Sequence, residues 1–309
     1  MLNFFECVSI PAVNIFVIIT GYFSCLSNNR KIGKPVNLLV QKAVWGIIFA
    51  MGYGLCVESS TGLALMKSIL GSVIAPNYFV TLFIVLYIVS PYLNLMISSI
   101  TEKSFRLLII YYFLIFSVYA TLMDLGNELL HTSLFDAGSP VGQRGSQFGY
   151  TIVHFMFIYL LGAYIRMFPF KMSIKKSIIG ILFSLLFLFC WRCFDLLYLN
   201  KPDLSPALSY NNPFVICLTV YIFLFFKQLR INSYVINELA GAAFTCYLIQ
   251  GYFLKEISIS HYVNGSLLGM IIHIIISMVT IYLISYIAFK MFSVTLGRLL
   301  SKIDIVIKY

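Results

Sequence analysis

Apolar residues fill this chain in long runs rather than in alternation with polar ones. Runs long enough to cross a bilayer as a helix, about 20 residues, recur near 5–26, 36–57, 77–98, 104–123, 148–168, 173–192, 212–229, 238–257 and 266–289. Hydrocarbon cannot satisfy backbone polar groups, so each run is predicted to be an α-helix that bonds its own N–H and C=O groups. The two-residue alternation of a membrane barrel is absent. The pattern therefore predicts an all-α, polytopic transmembrane helical bundle with nine visible spans, forming a single domain over 1–309. It shows no soluble domain, no internal repeat, no low-complexity tract and no secretory cleavage site.

Composition and charge sharpen this picture. Charged residues are 10% and apolar ones 61% of the chain. A soluble domain usually holds about 25% charged residues, so no solvated surface can be built from so few. The net charge of +10 would suit nucleic acid, but its distribution follows the loops instead. Arg30, Lys31, Lys34, Lys42, Lys103, Arg106, Arg166, Lys171, Lys175, Lys176, Lys227, Arg230, Lys290, Arg298, Lys302 and Lys308 fall on one side of the predicted spans, which is sixteen of the 21 cations. Lys67, Arg144, Arg192, Lys201 and Lys255 fall on the other. Cationic loops stay cytoplasmic. The expectation is a multi-pass protein of the cell (inner) membrane with a cytoplasmic C-terminus and no nucleic-acid partner. The same rule puts the start of the first visible span outside. One more helix upstream would restore a cytoplasmic N-terminus and make ten spans.

Seven cysteines lie scattered in or near the predicted helices, which is no disulfide framework. Cys190-Trp-Arg-Cys193 is a lone CxxC, and a zinc site needs four ligands, so no metal is expected. Apolar packing is the default for such cysteines.

Several motifs occur in order along the chain. The first span carries Asn14-Ile-Phe-Val-Ile-Ile-Thr-Gly-Tyr-Phe23. It is followed by Tyr78 through Ser90-Pro-Tyr-Leu-Asn94, by Gly149-Tyr150 through Leu161-Gly-Ala-Tyr-Ile-Arg166, by Asn212-Pro213 through Phe225-Phe-Lys227, and by Ala243-Phe-Thr-Cys-Tyr-Leu-Ile-Gln250. Taken singly, Gly21 permits close helix packing and Tyr22 suits a membrane interface. Taken together, the string resembles the integral-membrane acyltransferase-3 family, of the bacterial surface-polysaccharide O-acyltransferase type.

That resemblance implies transfer of an acyl group, commonly acetyl, from acyl-CoA to a hydroxyl of a cell-surface or exported polysaccharide. The implied partners are acyl-CoA as donor substrate, a lipid-linked or surface glycan and membrane lipid, with no bound cofactor. A glycan transporter or polymerase, and an inactive fragment of the acyltransferase fold, are the alternatives. The family's usual base is a His in its first helix, and the chain as written is expected to begin beyond that helix and to lack catalytic competence. Gln250 stands where many relatives have His, and Gln cannot act as a general base. Of the four histidines, His131 and His261 fall in loops, while His154 and His273 fall within spans. An ionisable group inside a span is a functional candidate, so His154 is the candidate base, against the reading of a neutral His bonded between helices. Arg30, Lys31 and Lys34 occupy the place of the family's Arg-x-x-Arg pair near the acyl donor. They are the candidate donor-binding residues, with a plain positive-inside anchor as the other reading. The longest loop, 124–147, holds Asp124, Glu128, Asp136 and Arg144. Asp136 and Arg144 are the candidate acceptor-binding residues, because carboxylate and guanidinium groups meet sugar hydroxyls well. Solvation of a connector explains the same residues, and the same two readings apply to Asp195 and Asp203. Glu6 is read either as orienting a base or as a helix-start carboxylate favoured by the dipole.

Overall fold

The computed structural model describes residues 2–27, 29–56, 62–74, 77–142, 145–198, 205–256, 266–301 and 306–308. Its regular secondary structure is helical, apart from two three-residue strands, Asn29–Lys31 and Val306–Lys308, among the described residues. Seven helical stretches are long and apolar enough to cross a membrane, and Ile152–Met167 and Ala243–Leu254 are shorter apolar helices. The all-α polytopic bundle expected from the sequence is the fold observed. The chain forms two compact units, one of residues 1–30, 77–230 and 308–309, the other of 31–76 and 231–307.

The first unit contains α1 (Leu2–Ser9), α2 (Ala12–Ser24), α5 (Tyr78–Ser99), α6 (Glu102–Phe113), α7 (Ala120–Leu129), α8 (Ile152–Met167), α9 (Ile174–Tyr198) and α10 (Pro213–Gln228). The run expected as one span over 5–26 is two helices, since Pro11 cannot supply the N–H that a continuous helix needs and α2 starts immediately after it. Between α6 and α7 the chain widens into a π-helix, Leu114–Tyr119. The hydroxyl of Ser117 in that turn donates to the Asn211 carbonyl at 2.7 Å, which fits the habit of π-turns to serve a local contact. Helical structure then continues to Leu129, so the connector expected from residue 124 begins six residues later than the hydropathy suggests.

α2 and α8 form the tightest crossing. A Cβ on Gly21 would lie 2.1 Å from the Tyr159 carbonyl oxygen, and one on Gly162 would lie 2.2 Å from that of Ile18. Only glycine lets two backbones come this close, the small-residue device of membrane helices. Around the crossing, Val17, Ile18, Ile158, Tyr159 and Leu160 are buried. Asn94 of α5 closes the end of α2. Its amide nitrogen donates to the carbonyls of Ser24 (2.9 Å) and Ser27 (3.0 Å), while Tyr159 Oη donates to its oxygen at 2.7 Å. Carbonyls in the last turn of a helix have no partner within it, and Asn94 supplies one.

The second unit contains α3 (Gly33–Cys56), α4 (Gly62–Ile74), α11 (Tyr234–Gly241), α12 (Ala243–Glu256), α13 (Leu267–Val294) and α14 (Leu296–Ser301). α4 occupies a stretch expected to be loop. It packs on α3 through Gly46, where a Cβ would meet the Ser72 carbonyl at 3.0 Å, and Lys42 Nζ donates to the Val73 carbonyl at 2.5 Å. Trp45, Ile249, Ala288 and Phe292 form the buried core of this unit. The span expected over 238–257 is split between α11 and α12, and Lys290 pairs with Glu238 at the edge.

Candidate functional site

The polar chemistry of the first unit gathers at the two ends of α2, α8 and α10, which run in the same direction. Their N-terminal ends meet the 145–150 and 205–212 connectors, and their C-terminal ends carry Tyr22, Arg166 and Lys227. α8 fixes the separation, with Ile152 and Arg166 about 21 Å apart at 1.5 Å per helical residue.

At the first end lies a polar cavity of about 260 Å³, lined by Asp124, Asn127, Glu128, Asp136, Ser146, Gln147 and Phe148, among others. Its walls come from α7 and from two short 3₁₀ turns, Asp136–Gly138 and Gln147–Gly149. Asp124 accepts the Ser146 backbone N–H at 3.0 Å and also the Ser146 hydroxyl. Asn127 donates to Asp136 Oδ1 at 2.8 Å and accepts the Phe135 N–H at 2.9 Å. The backbone turns tightly here. Gly145 and Gly149 have φ of 65° and 79°, and the intervening Gln147 and Phe148 have φ of 51° and 53°. Two consecutive side-chain-bearing residues in the left-handed region carry strain, which the surrounding contacts hold in place. A Cβ on Gly145 would lie 2.7 Å from Asp124 Oδ1, so glycine is required for the turn to close on that carboxylate.

Beneath this cavity three aromatic residues and one histidine join the elements. Tyr78, Tyr150 and Tyr210 pack edge-to-face or stacked, and the Tyr78 and Tyr210 hydroxyls are 3.0 Å apart. Asn14 donates its amide N–H to the Tyr210 carbonyl at 2.9 Å. That bond fixes the amide orientation, so Asn14 Oδ1 faces His154 Nε2 at 2.9 Å as an acceptor. His154 Nε2 therefore carries the hydrogen and donates, the tautomer following from its partner. His154 is 3% exposed, and the Thr151 hydroxyl caps its own N–H at 3.3 Å. In this geometry the ring links α8 to α2 and, through Asn14, to the 205–212 connector.

A second charged group lies at the same end. Arg192 is 4 Å or less from Glu6, at 3.7 Å, and Asp195 accepts the Ser205 hydroxyl. Arg192 and Asp195 are both buried, where a polar or charged partner offsets the cost of leaving water. They tie α1 and α9 to the turn at Pro206–Leu208.

At the other end, Arg166 Cζ stands 5.2 Å and Lys227 Nζ 5.3 Å from the centre of the Tyr22 ring. Arg166 also donates to Tyr22 Oη at 3.4 Å. Phe223 packs edge-on against the same ring at 5.3 Å. An apolar groove lined by Phe113, Phe157, Leu161, Tyr221 and Leu224 runs beside α8 and α10.

Of the residues singled out from sequence, Asp136 lines the polar cavity, together with Asp124 and Glu128. Arg144, Asp203 and His261 lie outside the described residues. Lys31 and Lys34 are exposed at the start of the second unit, and Arg30 lies in the strand Asn29–Lys31. His131 is exposed, and His273 sits within α13. No group of metal-ligating side chains occurs among the described residues. Sequence reasoning missed the Asn14–His154–Tyr210 link and the convergence on Tyr22. For the latter a signal existed: Tyr22, Arg166 and Lys227 each fall in the last turn of a helix whose next loop is cationic.

Comparison with curated proteins and with solved structures returns no match. Comparison with protein families does: residues 3–290 match the acyltransferase domain of the acyltransferase-3 family. With a match over nearly the whole chain, on an all-α bundle of apolar helices, the protein belongs to the acyltransferase-3 family of membrane acyltransferases.

Proposed function

We propose that the protein moves an acyl group, acetyl in the simplest case, from acyl-CoA on the cytoplasmic side to a hydroxyl of a cell-surface or exported polysaccharide. The polar cavity is the acceptor site in this reading, and it is the observation that carries the proposal. Carboxylates accept hydroxyl hydrogens and side-chain amides both donate and accept. Asp124, Glu128, Asp136, Asn127 and Gln147 supply both kinds of group around a space suited to one sugar ring, and Phe148 adds an apolar wall. A carboxylate there is also placed to take the proton of a bound hydroxyl, the task of a general base. Arg144 belongs to the same connector and is assigned to the acceptor with Asp136.

The charge distribution supports placing the cavity outside and the Tyr22, Arg166 and Lys227 end inside, with the C-terminus cytoplasmic and the inner membrane as the site. The two ends then face the two sides of the bilayer. Arg30, Lys31 and Lys34 are assigned to the acyl donor on the inner side. Lipid and glycan are the implied partners, and acyl-CoA is a substrate rather than a resident cofactor.

The test is incorporation of label from radiolabelled acetyl-CoA into surface glycan, comparing cells that express the chain with cells that express Asp124→Asn/Asp136→Asn. Label that depends on the chain and falls by about 100-fold in the double variant, the scale of a lost general base, supports the reading. Equal labelling with and without the chain refutes it.

A further inference from the structure

The convergence of Arg166 and Lys227 on one tyrosine calls for an explanation beyond loop charge. A cation at the C-terminal end of a helix is favoured by the dipole, which accounts for each residue alone. It does not account for two cations from different helices approaching the same ring within 5.3 Å. Two like charges brought together repel, and among the described residues neither forms an ion pair with a carboxylate. The Tyr22 ring face offers each a cation–π contact, and its hydroxyl fixes the Arg166 guanidinium through a hydrogen bond. Phe23 and Phe223 pack edge-on with the ring itself. Both cationic heads remain exposed to whatever lies beyond the ends of α8 and α10. The connectors 168–173 and 229–233 and the first turn of α9 add Lys171, Lys175, Lys176 and Arg230 and no carboxylate.

We propose that Arg166 and Lys227, held on Tyr22, form a phosphate-binding site. Guanidinium presents a planar fork that meets phosphate oxygens in pairs, and an ammonium serves as a mobile point charge beside it. A diphosphate satisfies both and removes their mutual repulsion. The phosphate has two possible sources, the diphosphate of the acyl donor or the head group of an anionic lipid. The first source rests on the acyl-CoA reading above and places the donor's charged end on α8 and α10. The second stands without that reading.

The experiment uses the full chain purified into phosphatidylcholine nanodiscs, with CoA as the probe in calorimetric titration. In Arg166→Gln/Lys227→Gln, CoA affinity is expected to fall about tenfold, the combined effect of two exposed charge contacts. Arg166→Lys/Lys227→Arg, which keeps both charges, should stay within about threefold of the parent. Inorganic pyrophosphate should compete with CoA in the parent. A second arm replaces part of the lipid with phosphatidylglycerol and reads the thermal midpoint. A rise in the parent that is lost in the double Gln variant, with CoA binding unchanged, assigns the site to a lipid phosphate. If the double variant does not fold, the single Gln variants carry the same test, each with about a threefold effect. Parent and variant alike in both arms overturn the proposal. Because both arms read binding without turnover, a failure of glycan labelling would sink the proposed activity and leave this site standing.

Discussion

Gly162→Ala tests the crossing on which both ends of the first unit depend. The added Cβ would sit 2.2 Å from the Ile18 carbonyl oxygen and 2.8 Å from the Tyr22 backbone nitrogen. Both neighbours are backbone, so no side chain can swing aside. α2 and α8 must part by about 1 Å to restore ordinary contact, and a gap of that size forfeits up to about half of each dispersion contact along the seam. Overpacking of this kind costs about 2–3 kcal/mol. Alanine returns about 1 kcal/mol of helix propensity over glycine, so the net loss is about 1–2 kcal/mol. Gly71→Ala isolates the packing contribution, because a Cβ there meets nothing within 4 Å and only the propensity gain applies. The assay is the thermal unfolding midpoint of both variants, purified in the same detergent. The expected result is Gly162→Ala below Gly71→Ala by about 6 °C, from the usual relation between free energy and midpoint for proteins of this size. Midpoints within about 1 °C of each other would refute the packing argument.

Four further outcomes are expected. His154→Ala should lower stability by about 2 kcal/mol, since it leaves Asn14 Oδ1 buried without its donor, and His154→Gln should recover most of that loss. A drop in glycan labelling of about 100-fold or more in a well-folded His154→Gln would instead assign the ring to catalysis. In a background with the native cysteines replaced, an impermeant thiol reagent should label Ser139→Cys and spare Ser301→Cys in intact cells, and the reverse pattern would invert the topology. Replacing Arg30, Lys31 and Lys34 together by Gln should raise the apparent acyl-CoA constant several-fold, about threefold or more, while an unchanged constant with normal expression would make them anchors only. Asn94→Ala should lower the thermal midpoint by about 3 °C or more, because it strips the Ser24 and Ser27 carbonyls and the Tyr159 hydroxyl of their partner.

The class of fold was legible in the amino-acid pattern alone, and the physical reason is the solvent. Hydrocarbon admits backbone only as self-satisfied helix or closed barrel, so the recurrence of apolar runs decided an all-α membrane bundle, and the ordered motifs pointed to the family that the domain match shows. Hydropathy also located the helices, but not their interruptions. It carries no signal for the break at Pro11, the π-turn at Leu114–Tyr119, or the helix Gly62–Ile74, because apolar residues continue through or beside each of them. The sites were legible only in part. Asp136 and its neighbours stood out as charges in a charge-poor chain, yet that scarcity does not say that Asp124, Asn127 and Gln147 close one cavity. His154 was visible as an ionisable group inside a span, whereas its partner Asn14 lies 140 residues away in sequence. Tyr22, Arg166 and Lys227 read singly as interface and anchor residues. Only the glycine-to-backbone crossing of α2 and α8, and the parallel course of α10 beside them, bring the three to one point, because side chains at the ends of separate helices acquire neighbours from packing rather than from sequence spacing.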